Sequence, residues 1–196
     1  MDPIKRSARR AACLLSLALV AFGAVDLPRV LIKTELGDIT VEVDPGRASV
    51  TAANFLRYVD AGLYDGSTFH RTVTPANQPN DAVRIEVIQG GQLPEDKEFP
   101  AIGHETTAET GLKHLDGAIS MARAKPGTAA SSFFICVNDQ AELDYGGKRN
   151  PDGQGFAVFG RVILGMDVVR AIQARPARGQ QLDPPVKIIS VRRIDR

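Results

Sequence analysis

The chain has 196 residues, 43% of them apolar and 24% charged, with a formal net charge of +1. That length supports one domain with a sizeable core and argues against a second. The near-neutral balance leaves no basic stripe for a phosphate backbone, which speaks against nucleic acid as a partner.

The N-terminal segment differs in kind from the rest. Lys5, Arg6, Arg9 and Arg10 precede an apolar run from Ala11 to Ala24. The run is shorter than the roughly 20 residues of a spanning helix and ends in small residues, the pattern of a secretory signal peptide. Cleavage after Gly23 puts Ala21 and Gly23 at the two small-residue positions. Residues 1–23 are therefore expected to be a leader and 24–196 the mature domain, periplasmic or secreted and free of the membrane once cleaved. An uncleaved anchor is the alternative. Cleavage leaves 20 basic and 22 acidic side chains, and it removes Cys13. Cys136 is then alone, so no internal disulfide forms, and within Phe133-Phe134-Ile135-Cys136 it reads as a small buried hydrophobe.

Val30–Thr34 and Asp38–Val43 alternate at period two across Glu35-Leu36-Gly37, which predicts a hairpin. Ser49 is the expected N-cap of a helix to about Asp60, with Ala52, Phe55, Leu56 and Val59 on one face. Gly62 stops it. Strands are expected over Ser67–Arg71, Ile85–Gln89, Ala118–Met121, Phe133–Val137 and Ala157–Ile163. A second helix follows from Asp167 to Ala174, its buried side supplied by Met166, Val168, Val169 and Ile172, with Pro176 ending it. Val186–Ile194 closes the chain as another strand. About eight strands with a helix near each end fit a mostly β fold, a closed or nearly closed antiparallel barrel whose openings the helices cap. The 18 glycines and 12 prolines suit so many turns. Two polar segments, Thr72–Arg84 and Asp144–Gly155, cannot add much to a core; segments of this length are either functional surface or simply mobile.

The chemistry legible in the residues is sparse. His70, His104 and His114 lack chelating spacing, so no metal site is expected. There is no G-x-S-x-G elbow, P-loop or G-x-G-x-x-G. What remains is a lone Arg71 at a strand end, near two apolar strand-like runs that flank the small-residue loop after Met121. One fixed cation beside an apolar surface suits a site that holds an apolar side chain and polarises a single bond.

Phe69-His70-Arg71, Gln89-Gly90-Gly91, the run from Ile119 through Arg123 and Ser131–Cys136 occur in the order found in the cyclophilin family of peptidyl-prolyl isomerases, which this chain resembles from about Val30 to Val191. The resemblance implies an eight-stranded antiparallel barrel capped by two short helices, proline-containing polypeptides as partners, no cofactor and a monomer. It also implies roles. Arg71 would donate to the prolyl nitrogen, Gln89 would hold that Arg and the substrate backbone, and Phe134 would form the floor of the proline pocket. Val87 and Leu143 would be walls, and Phe156 would close over the ring. Ala122 and Arg123 would pair with the peptide like an added strand, beside Ser132.

Departures from the family pattern set expectations of their own. Glu86 and Val87 stand where the family has Phe-Met, Ser132 where Gln is common, and Glu142 where an aromatic is common. The stretch from Arg71 to Gln89 is longer than in the family. Either Glu86 brings a carboxylate toward Arg71, or the longer loop turns it outward and another apolar group such as Ile85 takes the vacated place. Glu86, Ser132 and the long Thr72–Arg84 loop favour a second reading, a proline-peptide-binding chaperone or adaptor of weak catalytic power.

Overall fold

Residues 26–194 are described by the computed structural model; the leader expected over residues 1–23 lies outside them. Nine strands alternate with three helices: β1 (Arg29–Thr34), β2 (Gly37–Val43), α1 (Ser49–Asp60), β3 (Thr68–Val73), β4 (Val87–Gly90), α2 (Thr107–Thr110), β5 (Ala118–Met121), β6 (Phe133–Cys136), β7 (Ala157–Leu164), α3 (Met166–Gln173), β8 (Ala177–Arg178) and β9 (Gln181–Ile194).

Eight of these strands form the expected barrel. They run β1-β2-β7-β5-β6-β4-β3-β9, every pairing is antiparallel, and β9 returns to β1 to close the ring. Closure removes the free edges that an open sheet would expose. The two-residue β8 pairs only with the start of β9 and lies outside the ring. Val30 and Ile32 on β1 and Ile39, Val41 and Val43 on β2 are fully buried, as the period-two pattern requires. The hairpin turn falls where expected. Thr34 Oγ1 donates to the Gly37 carbonyl at 2.7 Å and accepts from Leu36 N–H at 3.1 Å.

Helix α1 buries Ala52, Phe55, Leu56 and Val59, and Gly62 at φ +65° turns the chain away after it. Its start differs from expectation. Ala48 holds the N-cap position and makes no side-chain cap bond. The orphan N–H groups of Val50 and Thr51 instead donate to the Glu105 carboxylate, at 3.0 and 2.7 Å. A carboxylate more than fifty residues away is a stronger acceptor than a serine hydroxyl, and it suits the positive end of the helix.

Helix α3 buries Val169 and Ile172, with Met166 and Val168 packed partly against the core. The short α2 adds a third helix to the two expected. Thr106 and Glu109 form a capping box around it, and Gly111 ends it in the left-handed conformation. That signature, T-x-x-E followed by glycine, is present in the sequence but spans a single turn.

The aromatic core lies between α1 and the sheet. Phe133 meets Phe55, Tyr64 and Phe69 edge-on, with ring centroids 5.4–5.9 Å apart. Its neighbour Phe134 turns to the other face of β6, against Phe156 and His114. Gly91 makes this packing possible. A Cβ there would lie 2.4 Å from the Phe133 ring, and its φ is +70°.

Candidate active site

Arg71 and Gln89 are set opposite one another by strand register, since β3 pairs with β4 as Phe69↔Gly90 and Arg71↔Gln89. The register shifts between Phe69 and Arg71, on the β4 side and on the β9 side alike. Without that bulge, residues two apart would share a face, and Arg71 would follow the fully buried Phe69 into the core. A bulge re-aims the following side chain. Here it brings the Arg71 guanidinium to Gln89, whose Oε1 accepts from Nη1 at 2.8 Å.

Two further groups complete the arrangement. Gln180 Oε1 accepts from Arg71 Nε at 3.0 Å and also from Nη2. Gln89 Nε2 donates to Ser132 Oγ at 3.0 Å. Two amide oxygens thus orient the cation without neutralising it, and among the described residues no carboxylate forms an ion pair with Arg71. Burial, reinforced by the charge of Arg149, pushes the Arg71 pKa down, with Asp81 acting the other way. The guanidinium stays protonated, but it is poorly solvated and ready to donate to an arriving acceptor.

Beside it lies a cavity of about 110 Å³ lined by Arg71, Ile85, Val87, Gln89, Ala122, Arg123, Phe134, Leu143 and Phe156. Pockets for drug-sized ligands run to roughly 300–1,000 Å³, so this one accommodates a single side chain or small ring. Phe134 and Phe156 form its aromatic corner, edge to face at 5.2 Å. Phe156 N–H donates to the Leu143 carbonyl at 2.9 Å, which fixes the Phe156 ring to the Leu143 wall. Behind Phe134, the ring of His114 stacks at an interplanar angle of 9°. His114 Nδ1 and Asp144 Oδ1 are 2.8 Å apart, and Nε2 and Ser120 Oγ 3.0 Å. Burial lowers the His114 pKa against the pull of Asp144. The neutral ring, with Nδ1–H donating to the carboxylate and Nε2 accepting from Ser120, satisfies every partner.

Eight of the nine residues expected at the site line this cavity. The ninth, Ser132, lines the adjoining cleft and supports Gln89. Of the two cases for Glu86, the outward one holds. Its Oε1 accepts from Asn138 Nδ2 at 3.1 Å, and Ile85 contributes the apolar lining. Arg123 departs from a purely main-chain part. Its side chain is 1% exposed and pairs with Asp152 at 2.8 Å. It also donates to the Gly155 carbonyl and lies 5.2 Å over the Phe156 ring. The bonds from Arg123, with one from the Gln154 N–H, draw the Asp152 carboxyl down to about 2.

The two polar segments meet here as well. Arg149, from the second, pairs with Asp81 at 3.1 Å and donates to the Val83 carbonyl at 2.6 Å in the first. Gln180, Arg149 and Asp152 were not legible as site residues, because each reaches the site through a long-range contact with no local motif.

Comparison with known proteins agrees with this architecture. The family model described as cyclophilin type peptidyl-prolyl cis-trans isomerase matches residues 29–193. A peptidyl-prolyl cis-trans isomerase of Acinetobacter baylyi is 35% identical, over 93% of this chain and 94% of its own. Peptidyl-prolyl cis-trans isomerase A of Dickeya dadantii is 37% identical, over 78% and 74% of the two chains. Among solved structures, a Cryptosporidium parvum cyclophilin type isomerase, determined in the presence of the dipeptide Ala-Pro, superposes with a TM-score of 0.69. It shares 22% identity over 86% of this chain and 99% of that one.

Proposed function

The chain belongs to the cyclophilin-type peptidyl-prolyl cis-trans isomerases, and from that premise we propose that Arg71 lowers the barrier to X–Pro rotation by donating to the prolyl nitrogen. The barrier, about 18–20 kcal/mol, comes from amide resonance. As the bond twists, the nitrogen becomes pyramidal and regains a lone pair. A donor aimed at that lone pair binds the twisted state better than either planar one, which is the condition for catalysis. No covalent step is required.

The observation that carries this reading is the placement of an unneutralised guanidinium, oriented by Gln89 and Gln180, at the edge of an apolar cavity of ring size. The proline ring would rest on Phe134 between Leu143 and Phe156. The flanking chain would run along Ala122 and Arg123. Ala122 N–H already donates to the Ser132 carbonyl at 2.9 Å, so Ala122 would offer its carbonyl.

Single preorganised donors are worth about 10²–10³ in rate, and Arg71→Ala should lose about that much in kcat/KM on an Ala-Pro peptide while still binding it. A variant that retains the full rate sinks the donor assignment. The second reading, a chaperone or adaptor of weak catalytic power, keeps Ser132 and the long Thr72–Arg84 segment in its favour. It predicts peptide binding by the unaltered protein with no faster cis/trans exchange. Residues 1–23 support work in the periplasm or outside the cell; the N-terminus of the exported protein should then be Ala24.

A further inference from the structure

The Arg71 pocket adjoins a second cleft of about 260 Å³, and Gln89, Ala122 and Arg123 border both. A peptide with its ring in the first therefore places a neighbouring side chain in the second. Hydroxyls and amides of Gln92, Thr128 and Ser132 line it, together with one carboxylate, Glu98. Glu98 is half-buried and accepts a hydrogen bond from the Ser131 hydroxyl. Among the described residues, the one cation lining the cleft is Arg123, and its guanidinium is already engaged by Asp152 and the Gly155 carbonyl. Lys97 and Lys125, the lysines closest in sequence, are exposed and outside the lining. The cleft thus carries a negative charge with no free cation of its own.

We propose that this cleft makes the protein selective for X–Pro segments with a basic side chain close to the proline, Glu98 supplying the counter-charge. This rests on the reading of the Arg71 pocket as the proline site. A half-buried carboxylate beside a cleft attracts an incoming ammonium or guanidinium and repels an acid. Glu98 acts on which segments dwell in the site. Arg71 acts on the bond that turns.

The test uses Ala-Pro peptides carrying Lys, Gln or Glu at each of three positions on either side of the Ala-Pro pair, with the unaltered protein, Glu98→Gln and Glu98→Lys. At one position, kcat/KM should favour Lys over Glu by about two- to tenfold, within the range of partly exposed charge pairs acting in both signs. The ratio should approach one in Glu98→Gln, which keeps an acceptor for Ser131. It should invert in Glu98→Lys and shrink in 1 M salt. A Lys:Glu ratio unchanged by Glu98→Gln at every position overturns the proposal. If the Gln peptides bind but are not turned over, the catalytic reading fails on its own, and the Lys:Glu ratio of affinities measured by titration calorimetry still decides the selectivity.

Discussion

Arg71 takes its direction from a bulge and its orientation from two amides, so its neighbours can be perturbed without removing the cation. Gln180→Ala deletes the acceptor for Nε and Nη2. Losing both charged hydrogen bonds that orient the guanidinium should cost about tenfold or more in kcat with little change in KM, a split that a stability defect would not give. The substitutions before Gln89 make a sharper contrast. Because Glu86 bonds to Asn138 and Ile85 lines the pocket, Glu86→Phe should leave turnover nearly unchanged, whereas Ile85→Ala should raise KM by widening the pocket. At Gly91, Gly→Ala combines a left-handed φ with a Cβ driven into Phe133. Strain and overpacking together predict a loss of about 2–5 kcal/mol, read from urea unfolding. Arg71, Gln89 and Phe134 were legible because they sit in short local motifs. Gln180 was not. It lies 109 positions from its partner in an unmarked Gly-Gln-Gln, and only barrel closure brings the two together.

The strands were recovered almost throughout, since each has clear alternation or a short apolar run bounded by turn residues. Helix ends were less legible, because they depend on groups distant in sequence. Ser49 looks like a cap by local rules, but the acceptor for α1 is Glu105. Glu105→Ala should therefore destabilise the fold by about 1–2 kcal/mol, and Ser49→Ala by much less, in the same urea experiment. The segments Thr72–Arg84 and Asp144–Gly155 read separately as polar loops; Arg149 ties them together. Their meeting could not be read from composition. It follows from the order of strands, which sets β4 between β3 and β6 and so brings the β3–β4 and β6–β7 connections close together.

At the scale of the molecule, acid should weaken the fold in two windows. The pKa values of His114 and His70 are both lowered, chiefly by burial, from an ordinary 6.5. The unfolded chain therefore takes up protons first, and stability present above pH 6.5 is lost progressively as pH falls below it. His114→Gln should flatten that part of the profile and leave the share due to His70. Asp144 behaves differently. Burial alone would raise its pKa, but hydrogen bonds from His114 and the charge of Lys113 bring it below 3.8. Its contribution persists above pH 3.8 and disappears only in stronger acid.

The seam between β1 and β9 has a consequence in time as well as in space. Synthesis is vectorial, and a nascent chain that ends at Pro176 already contains every residue lining the pocket. It lacks the stave that pairs with both β1 and β3, and it lacks Gln180. The apolar faces of its first strands would stay uncovered until the final segment arrives. An isomerase of X–Pro bonds would thus wait, as each copy is made, for Gln180 and β9 before its own site was complete.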